Sequence, residues 1–135
     1  MKLLGVISAA QLGMGLVGLR KALRDRTEYD LGFTRGSPET MKRDLWFMGT
    51  NLSAPAWMLL AQALATVLLT TRHRSRAAKA LGILGVMMSL GYPAEKSVRQ
   101  AWRHPNRSIT ALTVVAELLA VSMAWLGLRR QLRPN

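Results

Sequence analysis

The stretch ITALTVVAELLAVSMAWLGL, residues Ile109–Leu128, decides how this chain is read. A helix needs about 20 apolar residues to cross the hydrocarbon core of a bilayer, and this run has that length. Its one ionisable residue is Glu117, near the middle. A carboxyl at such depth is costly, so by default it marks a functional site or a buried partner. It is also one of the few side chains able to act as a general acid or base.

Working outward, three further segments have similar character. Leu3–Leu19 and Leu52–Thr71 reach spanning length, each with one glutamine midway, Gln11 and Gln62. Ala77–Ala94 is diluted by Gly82, Gly85, Gly91 and Pro93, but Met87 and Met88 keep its centre apolar. Lys79 can snorkel from it, and Tyr92 suits the headgroup level. The expectation is an all-α integral membrane bundle forming a single domain over residues 1–135. Its transmembrane helices should lie at about 3–19, 52–71, 77–94 and 109–128. Met1-Lys2 resembles the basic start of a signal peptide. However, the apolar run continues to Leu19 and is followed by Arg20-Lys21 rather than by small cleavage-site residues, so a retained helix is expected.

Half of the residues are hydrophobic, and they are gathered in those blocks. The net charge of +12 lies outside them, in loops, helix ends and tails. That placement favours anionic lipid headgroups over nucleic acid. With four crossings, the termini and the Arg72–Lys79 loop share one side with eight Lys and Arg, against eleven in the Arg20–Asn51 and Glu95–Ser108 loops. These totals barely differ. The six acidic residues outside the membrane all fall in the second pair of loops. Although acids count little in the positive-inside rule, this leans toward cytoplasmic termini, with dual insertion as the alternative.

The long Arg20–Asn51 connection carries its own signal. Ser37-Pro38 reads as an N-cap followed by proline at the first helical position. Met41, Leu45 and Met48 then share a face, with Trp46 and Phe47 beside them. A short interfacial amphipathic helix before the second crossing is expected there.

Offsets of three and four residues connect the polar positions. Ser8, Gln11, Gly15 and Gly18 form one stripe; Gln62, Thr66 and Thr70 form the second. Gly82, Gly85, Ser89 and Tyr92 form the third, and Thr110, Thr113, Glu117, Ala120 and Ala124 the fourth. Packed inward, these stripes leave Leu, Val, Met and Trp for lipid. Small residues permit close approach of membrane helices, and Gln, Ser and Thr hydrogen-bond across them, so packing alone accounts for most of these positions. Glu117 stands apart, because such glue rarely needs an ionisable group. The candidate site is therefore Glu117 as the catalytic group, with Gln11, Gln62, Ser89, Tyr92, Thr113 and Glu95 as ligand-binding residues. For Glu95, at the kinked end of the third segment, a surface ion pair with Arg99 competes with that role.

Other patterns carry nothing. Gly13-Met14-Gly15-Leu16-Val17-Gly18 spells a dinucleotide fingerprint but lies inside an apolar helix instead of after a strand. There is no cysteine, and His73 and His104 fall on opposite sides of the bundle, so no metal and no cofactor are expected.

Gly18-Leu19-Arg20, closing the first segment, and Arg43-Asp44-Leu45, before the second, resemble features of the small four-helix DoxX-like bacterial membrane proteins. The resemblance implies a multi-pass bundle in a bacterial inner membrane and brings no catalytic residues with it. Three function classes follow from the residues. The first is an intramembrane polar pocket centred on Glu117 that binds a lipophilic small molecule, with scope for acid–base conversion by an isomerase, cyclase or hydrolase. The second is a proton-coupled small-molecule transporter working as a homodimer. The third is a non-catalytic membrane subunit or assembly factor. Four short helices enclose little volume, so a homo-oligomer or a partner membrane subunit fits all three.

Overall fold

In a computed structural model the structure describes residues 1–25, 54–94, 96–103 and 107–129. All regular structure among them is helical: α1 (Lys2–Asp25), α2 (Ala56–Leu68), α3 (Arg74–Ala94), α4 (Lys96–Arg103) and α5 (Arg107–Leu128). Glu95 and the expected amphipathic helix over Met41–Met48 lie outside the described residues.

Three helices hold a stretch long and apolar enough to cross a membrane, Lys2–Lys21, Arg74–Ala94 and Thr110–Leu128. At 1.5 Å per residue, the 21 residues of α3 span about 31 Å, close to a hydrocarbon core. The second segment is shorter than its apolar run. Pro55 supplies no N–H and stands extended at φ −51° and ψ 144° before the first turn of α2. The helix closes at Leu68, and Thr70 and Thr71 turn the chain into α3, their hydroxyls bonded to the carbonyls of Val67 and Leu68. The 13 residues of α2 cover about 20 Å. Thr70, expected to face inward, is therefore exposed.

The four longer helices form a ring in which α1 touches α2 and α5, and α3 also touches both. Gly5 lies against Leu69, and Ala78 against Gly127. The start of α1, the turn between α2 and α3 and the end of α5 thus share one end of the bundle. The most extensive seam joins α3 and α5. A Cβ at Gly85 would stand 2.5 Å from the Ala124 nitrogen and 2.7 Å from the Ala120 oxygen, so only glycine lets these backbones meet. Gly127 is equally enclosed, by Ala78 and Gly82.

The interior contains Leu4, Met58, Leu81, Met88, Ala120 and Met123. Met88 and Met123 correct the expectation that methionine faces lipid; both are buried, whereas Met87 is exposed. The outer surface carries Val6, Leu16, Leu60, Leu64, Leu90, Leu118 and Val121. Exposed Trp57 and Trp125 mark opposite ends of this apolar belt, in the first turn of α2 and the last of α5.

The structure also contains a helix where a loop was expected. Lys96, Arg99 and Arg103 punctuate α4, while Val98 is fully buried. The Arg99 guanidinium donates to the carbonyls of Pro93 and Ala94, capping the end of α3.

Candidate functional site

Helical period alone sends one face of α1 inward: Leu4, Ser8, Gln11, Gly15 and Gly18 are all buried. Gln11 and Gln62 are 1% and 0% exposed, so each amide must find its partners inside the protein. Both reach across a diagonal of the ring. Gln11 Nε2 on α1 lies 3.7 Å from Met88 Sδ on α3, and Gln62 Nε2 on α2 lies 3.8 Å from Met123 Sδ on α5. A thioether is a weak acceptor, and the two amides differ in what else they meet.

Gln62 belongs to a closed circuit. Its Nε2 donates to the Ser8 carbonyl at 2.9 Å and approaches Ser8 Oγ at 3.4 Å. Ser8 Oγ and Thr66 Oγ1 are 2.7 Å apart, and Thr66 Oγ1 donates to the Gln62 carbonyl at 2.7 Å. Because the Thr66 proton is used there, the Ser8 hydroxyl is the donor to Thr66. Donors run from the Gln62 amide through Ser8 and Thr66 back to the Gln62 backbone, each bond polarising the next.

Gln11 lies one turn along α1 and is poorly served. Besides the sulfur contact, Nε2 meets Tyr92 Oη at 3.3 Å, beyond the ideal range. Its Oε1 has no hydrogen-bond partner among the described residues; the same holds for Gln62 Oε1 and Glu117 Oε2, and all three atoms are enclosed. The antiparallel seam that sets Gly82 against Leu128 and Gly85 against Ala120 and Ala124 continues one turn further. It brings Glu117 level with Ser89–Tyr92. Glu117 is half-buried, on the border of the α5 interior face.

Ser89 is half-buried and turns its hydroxyl onto its own helix, 2.8 Å from the Gly85 carbonyl. Its carbonyl receives no helical bond from position 93, since Pro93 has no N–H. Thr113 is 1% exposed, with Oγ1 3.2 Å from the Thr110 carbonyl. Sequence reasoning missed Met88 and Met123 as partners of the glutamines. Their signal was positional, since Met88 follows Leu81 and Leu84, and Met123 follows Ala116 and Ala120, at helical spacing. No group of three His, Cys, Asp or Glu able to hold a metal occurs among the described residues. No protein-family model, curated protein or solved structure matches the chain.

Proposed function

We propose that this protein is a four-crossing membrane bundle, with α2 as the fourth crossing, that binds a lipophilic small molecule in an intramembrane polar pocket. The pocket lies between α1, α3 and α5, around Glu117, Gln11 and Tyr92. The observation that carries this reading is that two of the three enclosed oxygens without partners among the described residues, Gln11 Oε1 and Glu117 Oε2, belong to this group. An unsatisfied buried polar atom costs about 1–3 kcal/mol, and a bound molecule offering donors recovers it. The membrane setting is supported by three spanning-length helices, by the apolar belt and by tryptophans at both its ends. Membership of the DoxX-like group, and with it a bacterial inner membrane, is part of the proposal and rests on the two junction motifs. Glu117 is the group placed to exchange a proton with the bound molecule, in conversion or in transport.

The test applies whatever the ligand is. The protein and its Glu117→Gln and Gln11→Leu variants are purified in mild detergent, and co-purifying small molecules are compared by native mass spectrometry. A hydrophobic species retained by the parent protein, and reduced at least tenfold in Glu117→Gln at an unchanged thermal midpoint, is the expected result. Equal retention by all three proteins, or none by the parent, contradicts the reading.

A further inference from the structure

The acceptors around Glu117 form an unusual set. Gln11 offers Oε1 and Glu117 offers Oε2, both enclosed and without partners among the described residues. At the same level of α3, Pro93 leaves the Ser89 carbonyl without its helical donor. Of the donors nearby, Gln11 Nε2 is engaged on Met88 and Tyr92 and the Ser89 hydroxyl on Gly85, while the Tyr92 hydroxyl accepts from Gln11 and keeps one proton to donate. No basic side chain forms an ion pair with the carboxyl among the described residues; Arg99 on α4, next along, is exposed and spends its guanidinium on the Pro93 and Ala94 carbonyls. On α1 the next basic residue beyond Gln11 is Arg20, nine residues on and exposed, about 13 Å of helix rise away. Lys79 on α3 is also exposed, and ten residues before Ser89.

We infer that the pocket takes an organic ammonium ion, held by Glu117 as counter-ion and by Gln11 Oε1 and the Ser89 carbonyl as hydrogen-bond acceptors. This rests on the pocket reading above and names its ligand class. A primary ammonium brings three N–H donors and no acceptor, which matches a site with acceptors to spare. A buried charge is tolerated when it is paired and hydrogen-bonded, and here ligand and carboxyl neutralise each other. The buried Tyr92 ring offers a π face to the cation, and Met88 is a polarizable apolar neighbour for its carbon skeleton. Hard metal cations fit less well, because calcium takes six to eight oxygen ligands. An anionic ligand meets the Glu117 carboxyl and the acceptors, against one uncommitted donor, the Tyr92 hydroxyl.

Isothermal titration in detergent micelles with 4-phenylbutylamine, 4-phenylbutan-1-ol and 4-phenylbutyrate at pH 7 separates the possibilities, since the three differ only at the head. The ammonium should bind saturably at one site per chain, at least tenfold more tightly than the alcohol, with no binding of the carboxylate. Glu117→Gln should weaken the ammonium at least tenfold and leave the alcohol unchanged, while Thr70→Val, on the exposed turn, changes neither. The ratio of amine to alcohol in the parent protein keeps the test decisive should a variant fail to fold. Equal binding of amine and alcohol, preference for the carboxylate, or undiminished amine binding by Glu117→Gln overturns the assignment. If a species co-purifies in a Glu117-dependent manner but the amine does not bind, the pocket stands and the ammonium assignment falls.

Discussion

Two glutamines sit one turn apart in the same polar layer, yet their surroundings differ in kind. Gln62 closes a circuit with Ser8 and Thr66 in which each donor meets an oxygen. Gln11 meets only a thioether and a phenol at long range, and like Gln62 it leaves its Oε1 without a partner among the described residues. The first arrangement does what membrane helices ask of polar residues, which is to hold α1 against α2. The second holds its helices together only weakly, and the proposed ligand is what would complete it. Neither burial nor the carbonyl end distinguishes them, since both side chains are completely enclosed and both leave Oε1 without a partner among the described residues; the contacts of Nε2 do.

The largest expected effect lies at the seam that keeps the open half aligned. Gly85→Val places side-chain atoms where the Ala120 and Ala124 backbones already stand. Overpacking of this kind costs about 1–3 kcal/mol and occasionally more. Thermal unfolding in detergent should show the steepest fall of any single variant, together with lost ligand retention, because α3 and α5 can no longer hold Tyr92 level with Glu117. A mild effect would mean that the two helices do not meet this closely.

Next comes the closed half. Ser8→Ala removes the hydroxyl that links Gln62 to Thr66 and should cost about 1 kcal/mol, within the range found for hydrogen bonds between membrane helices. Ligand retention should survive it, since Ser8 serves the circuit alone. Loss of ligand at full stability would merge the two halves into one site. Smaller still is Arg99→Ala, which leaves the last carbonyls of α3 uncapped. A loss of about 0.5–1 kcal/mol is expected, read as faster amide exchange confined to α3 and α4.

The inward face of α1 was legible in the sequence, because every polar or small residue of its stripe recurs at helical spacing, and the structure buries Ser8, Gln11, Gly15 and Gly18 alike. Gly82 and Gly85 announced a close seam for the same reason, though not that α5 would be its partner. Three features were hidden. Hydropathy carries no mark for the end of a helix inside an apolar run, so Pro55 and the turn at Thr70 shorten α2 below what Leu52–Thr71 suggested. In α4, charge masks the buried Val98. Methionine suits lipid and core equally, so the pattern did not fix the inward side of Met88 and Met123. The contrast between the glutamines was out of reach altogether, since it depends on which side chains cross the ring.

That contrast is measured most directly by replacing each glutamine with leucine and comparing thermal stability in the same detergent, without added ligand. Gln62→Leu breaks the circuit and should lower stability by about 1–2 kcal/mol. Both substitutions remove an unpartnered oxygen, but Gln11→Leu gives up only two long contacts, so stability should stay level or rise while ligand retention is lost. Equal destabilisation by the two substitutions would contradict the division into a closed structural half and an open binding half.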